Sequence, residues 1–472
     1  MTVSNVAVHP DYTRAGPYLK AIRDCMIGSM AIKEATTTYL PHPSDIDVTS
    51  DDAKVRYKKL INGAEFDGFP DETRRELLGK MRIGDSTIEL PDSLDYLIQN
   101  IDGDGVSLAA SIEYAINNVY QTKYHILVSE MINAPETTEN MTKEQGEALG
   151  FRVAIKQYTR ESLIQWNFSK VNGINQLSYA KFLEVSQEFD QETGSSQDVN
   201  KYFVMALDEN GDYYQMSYSD NDDSEESKKR TQPKVNKKPL KSIPITFIAD
   251  EELQVGCLPL QLGYLSGICD ASLHRYRVSA DYKETQRTSS PTIFNNGWED
   301  GDMDIFKEAN NGRSFIATGG GATNNMPNNV KSEVVSAAHE MTDYHWYFET
   351  NEKKIRSMGG EANTQSVAMT ATEAAITASK QNALMNTVAD NAEDGFIRAL
   401  FLCGVMQGTY TFDDFDKAME EIIIELPRDF ATPKLTVEEM GVYIQLKMMG
   451  ELTSEQFLDI RLKGGWQVGE VE

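Results

Sequence analysis

A mixed α+β fold is predicted from three features of this sequence. Residues 10–160 read as helices separated by acidic, Pro-marked loops, and residues of about 150–250 alternate apolar and polar side chains as strands do. After them come three long helical stretches with a small Gly- and Asn-rich module between the first two. With 472 residues, 40% hydrophobic and 25% charged, the chain has a globular composition. Its length suits about two to four compact units.

The helical start is clearest in "AGPYLKAIRDCMIGSMAIKEA", where Leu19, Ile22, Met26 and Met30 recur at helical spacing. "DGVSLAASIEYAINNVYQTKY" repeats the pattern through Leu108, Ile112, Ala115 and Val119. The preceding "IDGDG" (101–105) has the acids of a calcium loop, and Glu113 stands twelfth from Asp102. Val106, Leu108, Ala109 and Ala110 between them look like a helix start, however, so a turn followed by a helix cap is expected instead.

The strand region contains "FRVAIKQYTRESLIQWNF", "LSYAKFLEVSQEF" and "KYFVMALDENGDYYQMSYS", with "DENGD" (208–212) as a hairpin turn. "DNDDSEESKKRTQPKVNKKPLKS" (220–242) switches from acidic to basic and is predicted to be a solvated loop. Lys228, Lys229 and Arg230 are its candidate nucleic-acid contacts.

The first long helix is expected over about 258–287, through Leu258, Leu262, Leu265, Cys269, Leu273, Tyr276 and Ala280. About thirty helical residues span roughly 45 Å. A second, about 333–358, steps through Val334, Ala338, Met341, Tyr344, Phe348, Ile355 and Met358. A third starts near Val367 and runs to about Cys403, with Gly395 and Gly404 as expected kinks or stops. "EIIIEL" is a buried strand, and 434–472 a pair of helices each opened by Thr and Glu.

The net charge of −28 excludes a general nucleic-acid coat, which needs clustered Lys and Arg. It is compatible with a surface past which DNA slides without adhering. No run reaches the roughly 18–20 apolar residues of a membrane span, and the first residues lack a signal-peptide layout. Cys25, Cys257, Cys269 and Cys403 have no CxxC spacing, so free thiols and cytoplasmic synthesis are expected.

"SAAHEMTDYHWYFETNEKK" (336–354) is the strongest catalytic candidate. A zinc-hydrolase helix needs His-Glu-x-x-His, whose histidines share a face. Here the histidines are His339 and His345, about 240° apart around a helix. A metal-dependent hydrolase using His339, Glu340 and Asp343 is the alternative reading, and it lacks a third ligand. "ATGGGATNN" (317–325) has no Gly-Lys-Ser/Thr, and no Gly-x-Ser-x-Gly elbow occurs. No catalytic site, metal or cofactor is expected.

Several short motifs resemble a subfamily of tailed-bacteriophage portal proteins. "HPDY" (9–12), "RDCMIGSMAIK" (23–33) and "YLP" (39–41) place His9, Pro10, Tyr12, Arg23, Asp24, Gly28, Lys33, Tyr39, Leu40 and Pro41 in the family's order. "YTRESLIQWNFSKVNGINQL" (158–177) adds Glu161, Trp166 and Gly173. "LHRYRVSADYKETQRTSSPT" (273–292) adds His274, Tyr276, Ser279 to Tyr282 and Pro291, and "PRDF" (427–430) follows. Leu19 departs from the pattern, which has an aromatic there.

The resemblance implies an N-terminal arm and mixed α/β wing (1–257) and a two-helix stem (258–288 and 333–358). Between the stem helices lies a small α/β clip (289–332). A tunnel loop (359–366), a long wing helix and strand (367–433) and a short helical crown (434–472) complete the plan. It implies a ring of twelve subunits at one capsid vertex, through which double-stranded DNA is packaged and ejected. The implied partners are further copies of the chain, the major capsid protein, terminase and a head-tail adaptor, within a virion and with no membrane. A non-conducting ring scaffold is a further alternative. Gly359, Gly360, Glu361, Asn363, Thr364 and Gln365 would face the channel, with Lys353, Lys354 and Arg356 in the stem. Two glycines before small polar residues suit a sharp helix end by positive φ. A stretch without Lys or Arg suits a loop that brushes DNA without gripping phosphates.

Overall fold

The computed structural model describes residues 7–42, 50–81, 83–132, 151–171, 173–190, 194–219, 230–235, 238–253, 256–288, 292–310, 312, 325–328, 330–335, 342–359, 371–428 and 447. Among them are ten helices and five small antiparallel sheets, a mixed α+β architecture.

Helix α1 (Pro10–Ile27) begins where it does because Pro10 needs no amide partner and His9 caps the end. The His9 Nδ1 accepts from the Asp11 amide at 3.2 Å. It ends at Gly28, whose φ of 93° suits glycine. The stretch expected to continue to Met30 is therefore broken: α2 (Ser29–Glu34) is separate, and Met30 is exposed. Helix α3 (Asp51–Gly63) is capped by Ser50, whose Oγ accepts from the Ala53 amide at 3.1 Å. Helix α4 (Phe69–Met81) and strand β1 (Thr87–Glu89) follow.

Before α5 (Leu108–Thr122), the acidic loop is a turn held by its own side chains, as expected. Asn100 Oδ1 accepts from the Gly103 and Gly105 amides, and Asp102 Oδ1 from those of Asp104 and Val106. The Ser107 cap completes the helix start.

Strands β2 (Tyr124–Ile132) and β3 (Arg152–Tyr158) then appear, so the segment up to residue 160 is not wholly helical. "YHILVSEMI" is short and mostly apolar without a clean alternation, so periodicity does not separate strand from helix. It takes the strand form because β2 is the central strand of its sheet, buried from Tyr124 to Ser129. Strands β4 (Leu163–Val171), β5 (Ile174–Asp190), β6 (Ser195–Leu207) and β7 (Tyr213–Ser219) form a four-stranded antiparallel meander. The Asn-Gly turn between β6 and β7 is the predicted hairpin: Asp208 Oδ1 accepts from the amides of Asn210 and Asp212, and Gly211 has φ 74°. Part of the segment expected to be loop is instead the short pair β8 (Lys234–Val235) and β9 (Lys238–Pro239). Strand β10 (Ile245–Ala249) pairs with β2, giving the order β10-β2-β3.

Helix α6 (Ser266–Thr288) starts later than the periodicity from Leu258 suggests. Strand β11 (Thr292–Asn296), helix α7 (Asp302–Ala309) and strand β12 (Lys331–Val335) form the small module. Val334, expected in a helix, lies in β12 opposite Ile293. The return helix α8 spans Thr342–Gly359, while 336–341 lie outside the described residues. The long helix α9 runs Ala371–Gln407, followed by α10 (Phe415–Glu421) and β13 (Ile423–Glu425). Helix α9 passes through both Gly395 and Gly404 and stops at Gly408, which has φ 85°. Neither glycine is a stop, and both are sites of close approach: a Cβ on Gly395 would lie 2.5 Å from Ile248, and one on Gly404 2.4 Å from the Tyr410 ring. The "EIIIEL" strand pairs with β1 and buries alternate residues Ile422, Ile424 and Leu426. The C-terminal helix pair expected over 434–472 lies outside the described residues apart from residue 447.

The chain divides into two compact units: 1–28, 68–270 and 354–472 form one, and 29–67 with 271–353 the other. The core of the first lies where α5 and α9 meet the β10-β2-β3 sheet, with Ile116, Ile126, Val128, Val153, Ile155, Phe396 and Leu400 fully buried. Each such large apolar side chain contributes about 1.5–3 kcal/mol. Polar groups are matched across this packing: Ser129 donates to the Ala399 carbonyl at 2.9 Å and Asn391 to that of Ala249 at 2.8 Å.

In the second unit, α6 and α8 run in opposite directions. Tyr282 meets the rings of Tyr344 and Phe348 edge-on or tilted at 5.5 and 5.7 Å, and Arg275 donates to the Phe348 carbonyl at 2.6 Å. Helix α3 lies along α6: Ser279 Oγ accepts from the Glu65 amide at 2.9 Å, and Arg56 reaches Glu284 at 2.8 Å. In the small module, Trp298 packs on Phe306 at 5.9 Å, and Asn310 exchanges hydrogen bonds of 2.7 and 2.8 Å with the Asn325 backbone.

Candidate functional site

Residues that carry the sequence motifs meet in space although they are far apart in the chain. Pro10 and Gly28 bound α1, which carries Arg23 one turn before its end. The Arg23 guanidinium forks onto Glu161 at 2.6 and 3.1 Å and also donates to Gln121 and Asn118 at 2.6 and 2.7 Å. Burial would raise the Glu161 carboxyl, but the Arg23 hydrogen bonds and charge outweigh it, so its pKa is lowered. His9 stacks on Trp166 with ring centroids 3.9 Å apart. The stack and the fork fasten α1 to α5 and to the start of β4. Their chemistry is structural: each charge is paired, and the His9 Nδ1 is committed to a cap.

Sequence reasoning missed Arg160. It is 5% exposed, lies on the Tyr124 ring at 4.9 Å and donates to three carbonyls: Thr122 at 2.9 Å, Leu260 at 3.1 Å and Gln261 at 2.5 Å. Burial pulls its pKa below the usual guanidinium value. This explains why α6 begins only at Ser266. Arg160 captures the carbonyls of Leu260 and Gln261, Pro259 has no amide to give, and Gly263 lies against the Tyr120 and Gln121 backbone, where a Cβ would come within 2.5 Å. The Leu265 amide then donates to Tyr120. Nothing in the residues around 160 signals this, because the carbonyls lie about a hundred residues away.

Lys123 turns the chain from α5 into β2 at φ 86°, a strained value for a residue with a side chain. Its ammonium is paired with Asp250 at 2.8 Å and Glu251 at 2.9 Å. Burial lowers its pKa, but the two carboxylates outweigh that and raise it overall.

Of the predicted channel residues, Gly359 is the last residue of α8 and is buried. Its φ is not in the left-handed region. Glycine is favoured there because a Cβ would come within 3.0 Å of Thr73 Oγ1 on α4. Next to it, the Met358 carbonyl accepts from the Tyr264 hydroxyl. Gly360, Glu361, Asn363, Thr364 and Gln365 lie outside the described residues. Lys353 and Lys354 are exposed on α8, and Arg356 lies over the Phe69 ring at 5.4 Å.

Asp343 is exposed on α8, and His345 meets Tyr282 edge-on at 5.8 Å. His339 and Glu340 lie outside the described residues, as do Lys228 and Lys229. Arg230 lies over the Tyr214 ring at 4.6 Å. Among the described residues no three His, Cys, Asp or Glu side chains gather as a metal site, and no helix is long and apolar enough to cross a membrane.

No protein-family model matches the sequence, and no curated protein matches it. Among solved structures, the chain is similar to one in the neck of an empty gene transfer agent particle, with 13% identity, 87% of this chain and 93% of that one covered, and a TM-score of 0.40. It is similar also to a chain in the virion of the native gene transfer agent particle, with 11% identity, the same coverage of both chains and a TM-score of 0.40.

Proposed function

We propose that this chain is a phage portal protein: a non-enzymatic ring subunit forming the channel through which double-stranded DNA enters and leaves a capsid. The observation that carries the reading is the order of elements after residue 265. Helix α6 leads to the small β11–α7–β12 module, α8 returns antiparallel to α6, and the 37-residue α9 follows. That is the stem, clip, stem and wing-helix order implied by the sequence resemblance. The fastening of α1 through Arg23, Glu161, His9 and Trp166 gives the resembling motifs a physical reason.

In this reading residues 359–366 are the tunnel loop, and the crown lies in 434–472. The excess of acidic groups keeps sliding DNA from adhering to the wall. Terminase supplies the motor and docks on the clip, while the head-tail adaptor and the major capsid protein contact other faces of a twelve-membered ring in the virion. Negative-stain imaging with native mass spectrometry tests this. Rings of about twelve copies with a central hole are expected from a cyclic, head-to-tail interface. A species that stays monomeric or dimeric across protein and salt concentrations overturns the reading.

A further inference from the structure

In a chain of net charge −28, helix α3 presents a basic face. Lys54, Lys58 and Lys59 are exposed on it around Val55, which is 54% exposed. These positions follow the 3.6-residue repeat, while Tyr57 and Ile61 on the other side are buried. Lys54 has a solvent-exposed partner in Asp51, and Lys58 and Lys59 have no ion pair among the described residues.

The same unit carries the complement. Helix α7 exposes Asp304 and Glu308, with Glu299 and Asp300 just before it, around Met303 and Ile305, which are 43% and 55% exposed. Phe306 and Asp302 are its buried side, so the acidic and apolar face points outward. Asp304 has a solvent-exposed partner in Lys307, as Lys54 has in Asp51. The two surfaces have apolar side chains among charges of mainly opposite sign, the arrangement of an interface with a charged rim. They belong to the same end of the unit. Arg56 on α3 reaches Glu284, near the end of α6, and the chain enters the β11–α7–β12 module directly after that helix.

We propose that the basic face of α3 docks on the acidic face of α7 from a second copy of this chain, as a repeated head-to-tail contact. One copy offers each face once, so the contact is heterologous and propagates until a ring closes. The inference rests on the ring reading above and adds which surfaces meet. Val55 is covered by Met303 and Ile305 of the neighbour, and Lys58 and Lys59 lie against Asp304 and Glu308.

Two full-length variants test it: K58E/K59E, acidic on both faces, and D304K/E308K, basic on both. All four positions are exposed, so each variant is expected to keep the circular-dichroism spectrum of the unaltered chain. Each alone is expected to need about tenfold or more protein for half-assembly by native mass spectrometry, because like charges then face each other. Mixed in equal amounts, they are expected to assemble again with alternating subunits, and about 0.5 M salt is expected to reduce this recovery. Assembly of both single variants at the concentration of the unaltered chain overturns the proposed contact and leaves the ring reading standing. So does a loss of assembly that mixing does not restore. If K58E/K59E assembles normally but loses binding to a short DNA duplex, the face is a nucleic-acid site and the contact is overturned. An unaltered chain that never assembles overturns both the ring and the contact.

Discussion

His125 shows how a single buried residue links this fold to pH. Its ring is fully buried, with Nε2 at 2.7 Å from Gln157 Oε1 and the Tyr114 ring edge-on at 5.5 Å. Burial in this setting pulls its pKa from the ordinary 6.5 down to about 4. Above pH 6.5 the ring is neutral in both folded and unfolded chains. As the pH falls from 6.5 towards 4 the unfolded chain takes up a proton that the folded one refuses, so stability is lost across that window. The loss is roughly 3 kcal/mol by proton linkage. The variant His125→Gln lacks this loss. Urea unfolding at pH 7 and pH 4 is expected to show the variant gaining about that much relative to the unaltered chain, and an unchanged difference would count against the account. The sequence "KYHILVSE" showed a histidine in an apolar run but not its neighbours. Gln157 comes from the adjacent strand, and its approach is a matter of β2–β3 register.

Among the elements, α9 was legible as a long helix, and the part its glycines play was not. In sequence, Gly395 reads as a weak point in a helix. In the fold it lets α9 approach β10 so closely that a methyl group would lie 2.5 Å from the Ile248 Cγ1. Gly395→Ala is therefore expected to destabilise the first unit by about 1–3 kcal/mol despite alanine's better helix propensity. The double variant with Ile248→Ala tests the cause. Its loss is expected to be smaller than the sum of the two single losses, because the second change removes the clashing atoms. Strict additivity in chemical unfolding would show that the glycine acts elsewhere. The same competition set the start of α6. Apolar spacing extends back to Leu258, but Arg160 and the close approach of Gly263 to the α5 end keep those residues out of the helix.

For the whole molecule, the proposed channel gives a prediction at residues 359–366 that is separable from folding. Gly359 is a poor target, since an added methyl would press on Thr73. Asn363, Thr364 and Gln365 are the informative ones, because in the proposed ring they only brush the DNA backbone. Replacing all three with Ala is expected to leave rings intact by native mass spectrometry while lowering the DNA packaged or retained per particle severalfold. Equal DNA content in variant and unaltered particles would remove the loop from the channel. By itself the sequence determined the acidic character, the α+β class, the strands of the meander, the Asn-Gly hairpin, and the order of helix, small module, helix and long helix. These depend on charge and on repeats of two or 3.6 residues, which are local quantities. Only the tertiary structure decided where α6 begins, that "YHILVSEMI" is a central strand, why glycines stand within α9, and that Arg23 meets Glu161 across 138 residues. The physical reason is that periodicity reports which side of an element is apolar. The partner on that side, and the backbone groups that an arginine or a close helix contact will claim, are fixed by chain segments far away in sequence.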